Sequence, residues 1–125
     1  MNKSLMGLIA ILAITSALTV NAARITVTDT VVTRILTTSE VYGTCMAQLS
    51  KTLANSGLDC PSSWVTFACD GAFEQKKDVA YKMFEAAQMS LLLGTRLNVR
   101  VDDFKKINGY CVADEVYSYN PLPSP

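Results

Sequence analysis

From Arg24 the chain reads RITVTDTVVTRIL, with Ile25, Val27, Val31 and Ile35 on one parity and Thr26, Thr28, Thr30 and Arg34 on the other. A period of two carried by so many β-branched side chains predicts a long strand with one buried face. VYGTCMAQL predicts a second strand in which Gly43 marks a bend or bulge. SKTLANSGLDCPSS, rich in turn formers, reads as a loop. SWVTFAC, Ser63 to Cys69, is apolar on both faces, which places this third strand centrally in a sheet. At Lys77 the period changes. KDVAYKMFEAAQMSLLL holds good helix formers without Gly or Pro, with Asp78 near its start and Gly94 as a stop, and predicts a helix over Lys77 to Leu93. Val79, Met83, Ala86, Ser90 and Leu93 form one row on it and Ala80, Phe84, Ala87 and Leu91 the next, a broad stripe to pack on the sheet. A fourth strand alternates from Arg96 to Asp102, and a fifth runs from Tyr110 to Tyr119.

Strand, strand, strand, helix, strand, strand is the order of an α+β, mainly β, domain. It matches a five-stranded OB-fold-like barrel with one helix between its third and fourth strands. An open antiparallel sheet carrying a helix is the plain alternative. The segment between the last two strands, VDDFKKINGYC, concentrates charge, but its parts diverge. Asp102 and Asp103 are adjacent and point to opposite faces of a strand. Lys105 and Lys106 oppose cation binding, and Asn108-Gly109 supplies the positive-φ pair of a hairpin turn. The expectation is a solvated hairpin rather than a metal or catalytic site.

Upstream, Lys3 precedes an uncharged, mostly apolar run from Leu5 to Val20, and Val20-Asn21-Ala22 puts small residues at the −3 and −1 positions of a cleavage site. This is the layout of a signal peptide, residues 1–22, with cleavage before Ala23. The run falls short of the roughly 20 apolar residues a membrane span requires. The expected product is secreted or periplasmic, has no membrane span after cleavage, and consists of one domain over 23–119 and a disordered tail, NPLPSP, over 120–125.

Composition narrows the chemistry. Cys45, Cys60, Cys69 and Cys111 all lie beyond the leader, and an even count in a small exported chain reads as two disulfides. CxxC spacing and histidine are both absent, which argues against a zinc site. Three pairings are open. The favoured one joins Cys45 to Cys60, tying the loop to the second strand, and Cys69 to Cys111, joining the third strand to the fifth. Without histidine there is no Ser-His-Asp or Cys-His nucleophile and no imidazole acid or base. Carboxylate chemistry of the glycosidase kind survives as a distant reading, a small hydrolase. No catalytic, cofactor-binding or metal-ligating residue is assigned. Loss of Lys3 leaves ten basic residues against eleven acidic ones, so nucleic acid is excluded as a partner for want of a basic face.

Aromatic side chains are the better lead. Tyr110, Tyr117 and Tyr119 crowd the last strand and Phe104 precedes it; exposed beside Asn, Asp and Ser, they form a candidate ligand surface for stacking on a sugar. Met89 and Leu92 lie at the margin of the helix, where a subunit contact would be made.

From SWVTFAC through YKMFEAAQMSLLLGT to RLNVRV, about a third of the chain resembles the B subunits of AB5 toxins, in particular the subtilase-cytotoxin and pertussis-like group. That resemblance implies a small exported OB-fold protein with disulfides and one helix, assembled in rings of five that bind host glycans. The first strand departs from that group's Asp and Ser pattern, so no sugar-binding residue is carried over. WVTFAC, AQM and DDFKKINGYC also resemble segments of small secreted bacterial proteins, a likeness that implies no activity. The expected function is a secreted, disulfide-stabilised binding module, glycan-directed and homo-oligomeric through its helix. The alternative is a non-catalytic envelope factor with a structural or protein-interaction role.

Overall fold

The structure, a computed structural model, describes residues 23–39 and 41–119. The leader and the tail expected from the sequence lie outside these residues. Six strands form one mixed sheet: β1 (Arg24–Thr30), β2 (Val32–Thr37), β3 (Cys45–Leu49), β4 (Trp64–Thr66), β5 (Leu97–Ile107) and β6 (Tyr110–Ser118). One helix, α1 (Lys77–Leu93), follows β4. The sheet order is β1-β5-β6-β4-β3-β2, antiparallel except where β4 runs parallel to β6. β4 is central, as its two apolar faces require.

Five strands become six because the first expected strand breaks at Val31. Its first half pairs with β5 and its second with β3, at opposite ends of the sheet, so the two terminal strands are consecutive in the chain and do not pair with each other. Two serines hold the bend. Ser50 Oγ accepts the Val31 N–H at 3.1 Å, and Ser90 Oγ of α1 accepts the Val32 N–H at 3.0 Å. The Val32 amide is buried and needs such a partner, which Ser90 supplies; the Val31 contact with Ser50 is exposed.

The core lies between the sheet and α1. Val27, Ala47, Val65, Phe67, Val99 and Val101 supply the sheet side, and Ala80, Met83, Phe84 and Ala87 the helix side. Phe67 and Phe84 meet with centroids 6.1 Å apart and planes tilted by 55°. Burial of each ring contributes about 2–3 kcal/mol. The helical stripe is narrower than its sequence suggests, because Val79 and Leu93 face outward.

The favoured cysteine pairing is overturned. The bridges are Cys45–Cys69, with Cα atoms 5.8 Å apart, and Cys60–Cys111, at 5.9 Å. In the β3–β4 ladder Met46 faces Thr66, and the Phe67 N–H reaches the Cys45 carbonyl, so Cys69 just past β4 arrives at the start of β3. The loop carrying Cys60 folds over the start of β6 rather than back onto β3. Gly43 explains the tight approach beside the first bridge. Its φ is +74°, and a Cβ there would sit 2.5 Å from Thr66 Oγ1 and 2.8 Å from Ile107 Cδ1. Only glycine fits.

The hairpin expected at Asn108-Gly109 forms, with φ of 49° and 87°. It is not solvated throughout, as the sequence reading expected. Residues 103–105 bulge out of the β5–β6 register, and the Asp103 side chain turns inward, accepting the Asp59 N–H at 3.0 Å and the Ala23 N–H at 2.7 Å.

Candidate functional site

The C-terminal half of α1 brings three exposed large apolar side chains together. Since Ala80, Met83, Phe84 and Ala87 occupy the core side, the residues opposite them in helical projection, Met89, Leu92 and Leu93, are forced outward. Leu92 is 76 % exposed, Leu93 65 % and Met89 51 %. Their placement is fixed from behind. Gly94, in the left-handed conformation, ends the helix with its N–H on the Ser90 carbonyl at 2.8 Å, and Ser90 Oγ donates to the Thr95 carbonyl at 2.6 Å.

Two grooves flank this ridge. One, of about 520 Å³, lies between α1 and β2 and is lined by Ile35, Glu85, Gln88, Met89, Leu91 and Leu92. The other, of about 370 Å³, lies between α1 and the end of β6 and is lined by Ala86, Met89, Leu93, Thr95, Ser118 and Tyr119. Both are in the size range of ligand clefts and share Met89 as a wall.

A polar cluster stands beside the second groove. The Arg96 guanidinium holds both Asp29 carboxylate oxygens at 2.6 Å, and the Tyr119 hydroxyl donates to Asp29 Oδ1 at 3.0 Å. Asp29 has φ of 55°, and its N–H donates to Asn98 Oδ1 at 2.9 Å. The hydrogen bonds from Arg96 and then Tyr119 hold the Asp29 carboxyl below its ordinary 3.8. Reciprocally, the hydrogen bond to Asp29 raises Arg96 and pushes the Tyr119 phenol above its ordinary 10.0. Farther along the sheet, Asp114 is bulged from the β5–β6 register and pairs with Arg24 and with Arg100, whose guanidinium also reaches Glu115. The hydrogen bond to Asp114 raises Arg100 above its ordinary value.

The four aromatic residues expected to form one surface divide between the two ends of β6. Phe104 crowns the bulge in β5, 80 % exposed. Tyr110, near it, is half-buried and packs edge-to-face on Tyr42, centroids 5.3 Å apart. Tyr119 lines the groove at α1, and Tyr117, exposed, donates its hydroxyl to Glu115. Nine residue steps of roughly 3.3 Å separate Tyr110 from Tyr119, too far for one small-ligand site. Met89 and Leu92, singled out on the helix, are both in the groove walls. Asp29, Arg96 and Asn98 escaped notice. Asp29 did carry a signal, as the one charged residue on the apolar parity of the first strand.

Among the described residues, no cluster of Cys, Asp and Glu is arranged to hold a metal ion, and no helix is long and apolar enough to cross a membrane. No protein-family model, curated protein or solved structure matches the chain. The functional reading therefore rests on these side chains.

Proposed function

We propose that this is an exported, non-enzymatic binding module of the OB type that assembles with copies of itself through the C-terminal half of α1. The observation that carries the reading is the ridge of Met89, Leu92 and Leu93 standing between two grooves lined largely by apolar groups. A ridge beside a groove of the same character is self-complementary, the condition for contact between identical subunits. A formal charge near −1 after loss of the leader gives copies little cause to repel. The OB assignment draws support from the strand order, in which β1 and β2 are two halves of one bent strand serving both ends of the sheet, and from a helix placed after the central strand. Two disulfides suit an oxidising compartment outside the cytoplasm.

A carboxylate-based hydrolase is disfavoured. It needs an acid with a raised pKa, whereas the Asp29 carboxyl is held low by its hydrogen bonds from Arg96 and Tyr119. Glycan binding is the second reading. It is favoured by Tyr119 beside an apolar groove with Asp29, Arg96 and Tyr117 nearby, since sugars are held by stacking together with planar hydrogen-bonding groups.

Sedimentation of the processed protein over a range of concentrations tests the assembly. A mass several times that of the protomer, reduced to one protomer by Leu92→Glu, is expected. A single protomer at every concentration would overturn the proposal. For the second reading, a glycan array should give hits lost in Tyr119→Ala; an array without hits on the disulfide-bonded protein removes it.

A further inference from the structure

Asp103 has an unusual set of partners. Its side chain is packed into the structure, with the residue 9 % exposed, and each carboxylate oxygen accepts a backbone N–H: Oδ1 from Ala23 at 2.7 Å and Oδ2 from Asp59 at 3.0 Å. The Asp103 N–H in turn donates to the Ala23 carbonyl at 3.0 Å, so Ala23 is gripped from both sides. Among the described residues no lysine or arginine forms an ion pair with Asp103; its neighbours Lys105 and Lys106 pair with Asp102 and Asp59 instead. A carboxylate removed from water without a counter-charge is costly. The shorter of its two hydrogen bonds comes from the nitrogen of the residue that the leader pattern, small residues at Val20 and Ala22, would make the first of the mature chain.

We infer that removal of the leader completes a partly buried ion pair at this point: the α-ammonium of Ala23 becomes the missing counter-charge of Asp103. Hydrolysis of the Ala22–Ala23 peptide bond places the water oxygen on the Ala22 carbonyl carbon, and the amine released on Ala23 takes up a proton. An α-amino group ordinarily titrates near pH 8, and a carboxylate in contact holds its proton more tightly. A neutral amide donor is thereby exchanged for a full positive charge at 2.7 Å, with no other movement required. Processing would tighten the corner where β1 meets β5, the Asp59 loop and the Cys60–Cys111 bridge. The position is selective. A cut one residue earlier or later moves the charge by about 3.3 Å along the strand, out of direct contact. The inference rests on the export reading and is tested apart from it.

The experiment uses two proteins, the exported chain with its first residue determined by sequencing and intact mass, and the same chain retaining Asn21-Ala22 before Ala23. Each is made with Asp103 and with Asp103→Asn, and unfolded by denaturant. The retained residues should raise the unfolding constant about tenfold to a hundredfold in the Asp103 background, the range for a charged hydrogen bond, and leave it unchanged with Asn. Should Asp103→Asn fail to fold, acylation of the α-amine in the processed Asp103 protein gives an independent reading: about tenfold slower in the folded than in the denaturant-unfolded chain. A first residue other than Ala23 overturns both this inference and the assigned cleavage site. An Ala23 start with equal stability of the two chains, or with an α-amine acylated at the unfolded rate, overturns the ion pair and leaves export standing.

Discussion

The two ends of the molecule treat polar and apolar groups in opposite ways. At the β5–β6 hairpin, Asp103 is buried with its carboxylate oxygens matched to backbone donors, Tyr110 packs on Tyr42, Gly43 fits against Thr66 and Ile107, and Cys60–Cys111 closes the loop. At the C-terminal end of α1, the Asp29–Arg96–Tyr119 cluster is open to solvent and three large apolar side chains stand exposed. The hairpin end uses its polar groups to hold the chain and exposes a large apolar side chain, Phe104; the α1 end exposes three side by side, Met89, Leu92 and Leu93. A residue that does not stabilise its own subunit is the better candidate for contact with something else.

The comparison breaks most visibly at the hairpin end. Replacing Cys60 and Cys111 together by alanine should cost about 4 kcal/mol, because the bridge closes a sequence separation of 51, against about 3.5 kcal/mol for Cys45 and Cys69, separated by 24. Chemical denaturation of the two double variants checks both values and their order. Gly43→Ala should cost about 3 kcal/mol, since the new Cβ meets Thr66 Oγ1 and Ile107 Cδ1 at a positive φ; the midpoint of thermal unfolding should fall accordingly. Ser90→Ala, which strips the Val32 N–H of its partner and frees the Thr95 carbonyl, should cost about 2 kcal/mol by the same measurement.

At the α1 end the expected effect on stability is small and the effect on assembly large. Leu92→Glu should change the unfolding free energy by no more than about 0.5 kcal/mol, as for exposed positions generally. A drop comparable to Ser90→Ala would show that the ridge belongs to the fold. The smallest effects belong to the polar cluster. The Asp29 carboxyl is lowered in the folded state, so its contribution is complete above the ordinary 3.8 and lost as pH falls through the folded value. The Tyr119 phenol is raised, so its contribution is complete below 10.0 and lost as pH rises through the folded value. Asp29→Asn should flatten the acid limb of the stability profile and return one tyrosine to ordinary titration in ultraviolet absorbance. An unaltered tyrosine titration would remove the Tyr119–Asp29 contact.

Much of the fold was legible because it is local. The helix limits follow from its period and from Gly94, and the β5–β6 turn from Asn-Gly, both within reach of near neighbours in the chain. The bend at Val31 was not, because the alternation of Val27, Val31 and Ile35 passes through it unchanged, and what holds it, Ser50 and Ser90, lies far along the chain. Cysteine pairing failed for a related reason: it depends on where the 50–63 loop travels, and turn formers announce a loop without its direction. At the candidate site Met89 and Leu92 could be read from helical projection. Arg96 could not be tied to Asp29, which is 67 residues away and meets it only after β1 and β5 pair. Asp103 shows the limit from the other side. That adjacent acids face opposite ways was readable; that one of them faces inward toward Ala23 required the fold.

Amide hydrogen exchange of the processed protein, compared between dilute and concentrated solution, tests the assignment of the working surface most directly. Concentration-dependent protection is expected in the last two turns of α1 and around Ile35, with the β5–β6 hairpin unchanged. Protection confined to the hairpin, or none at any concentration, would contradict it.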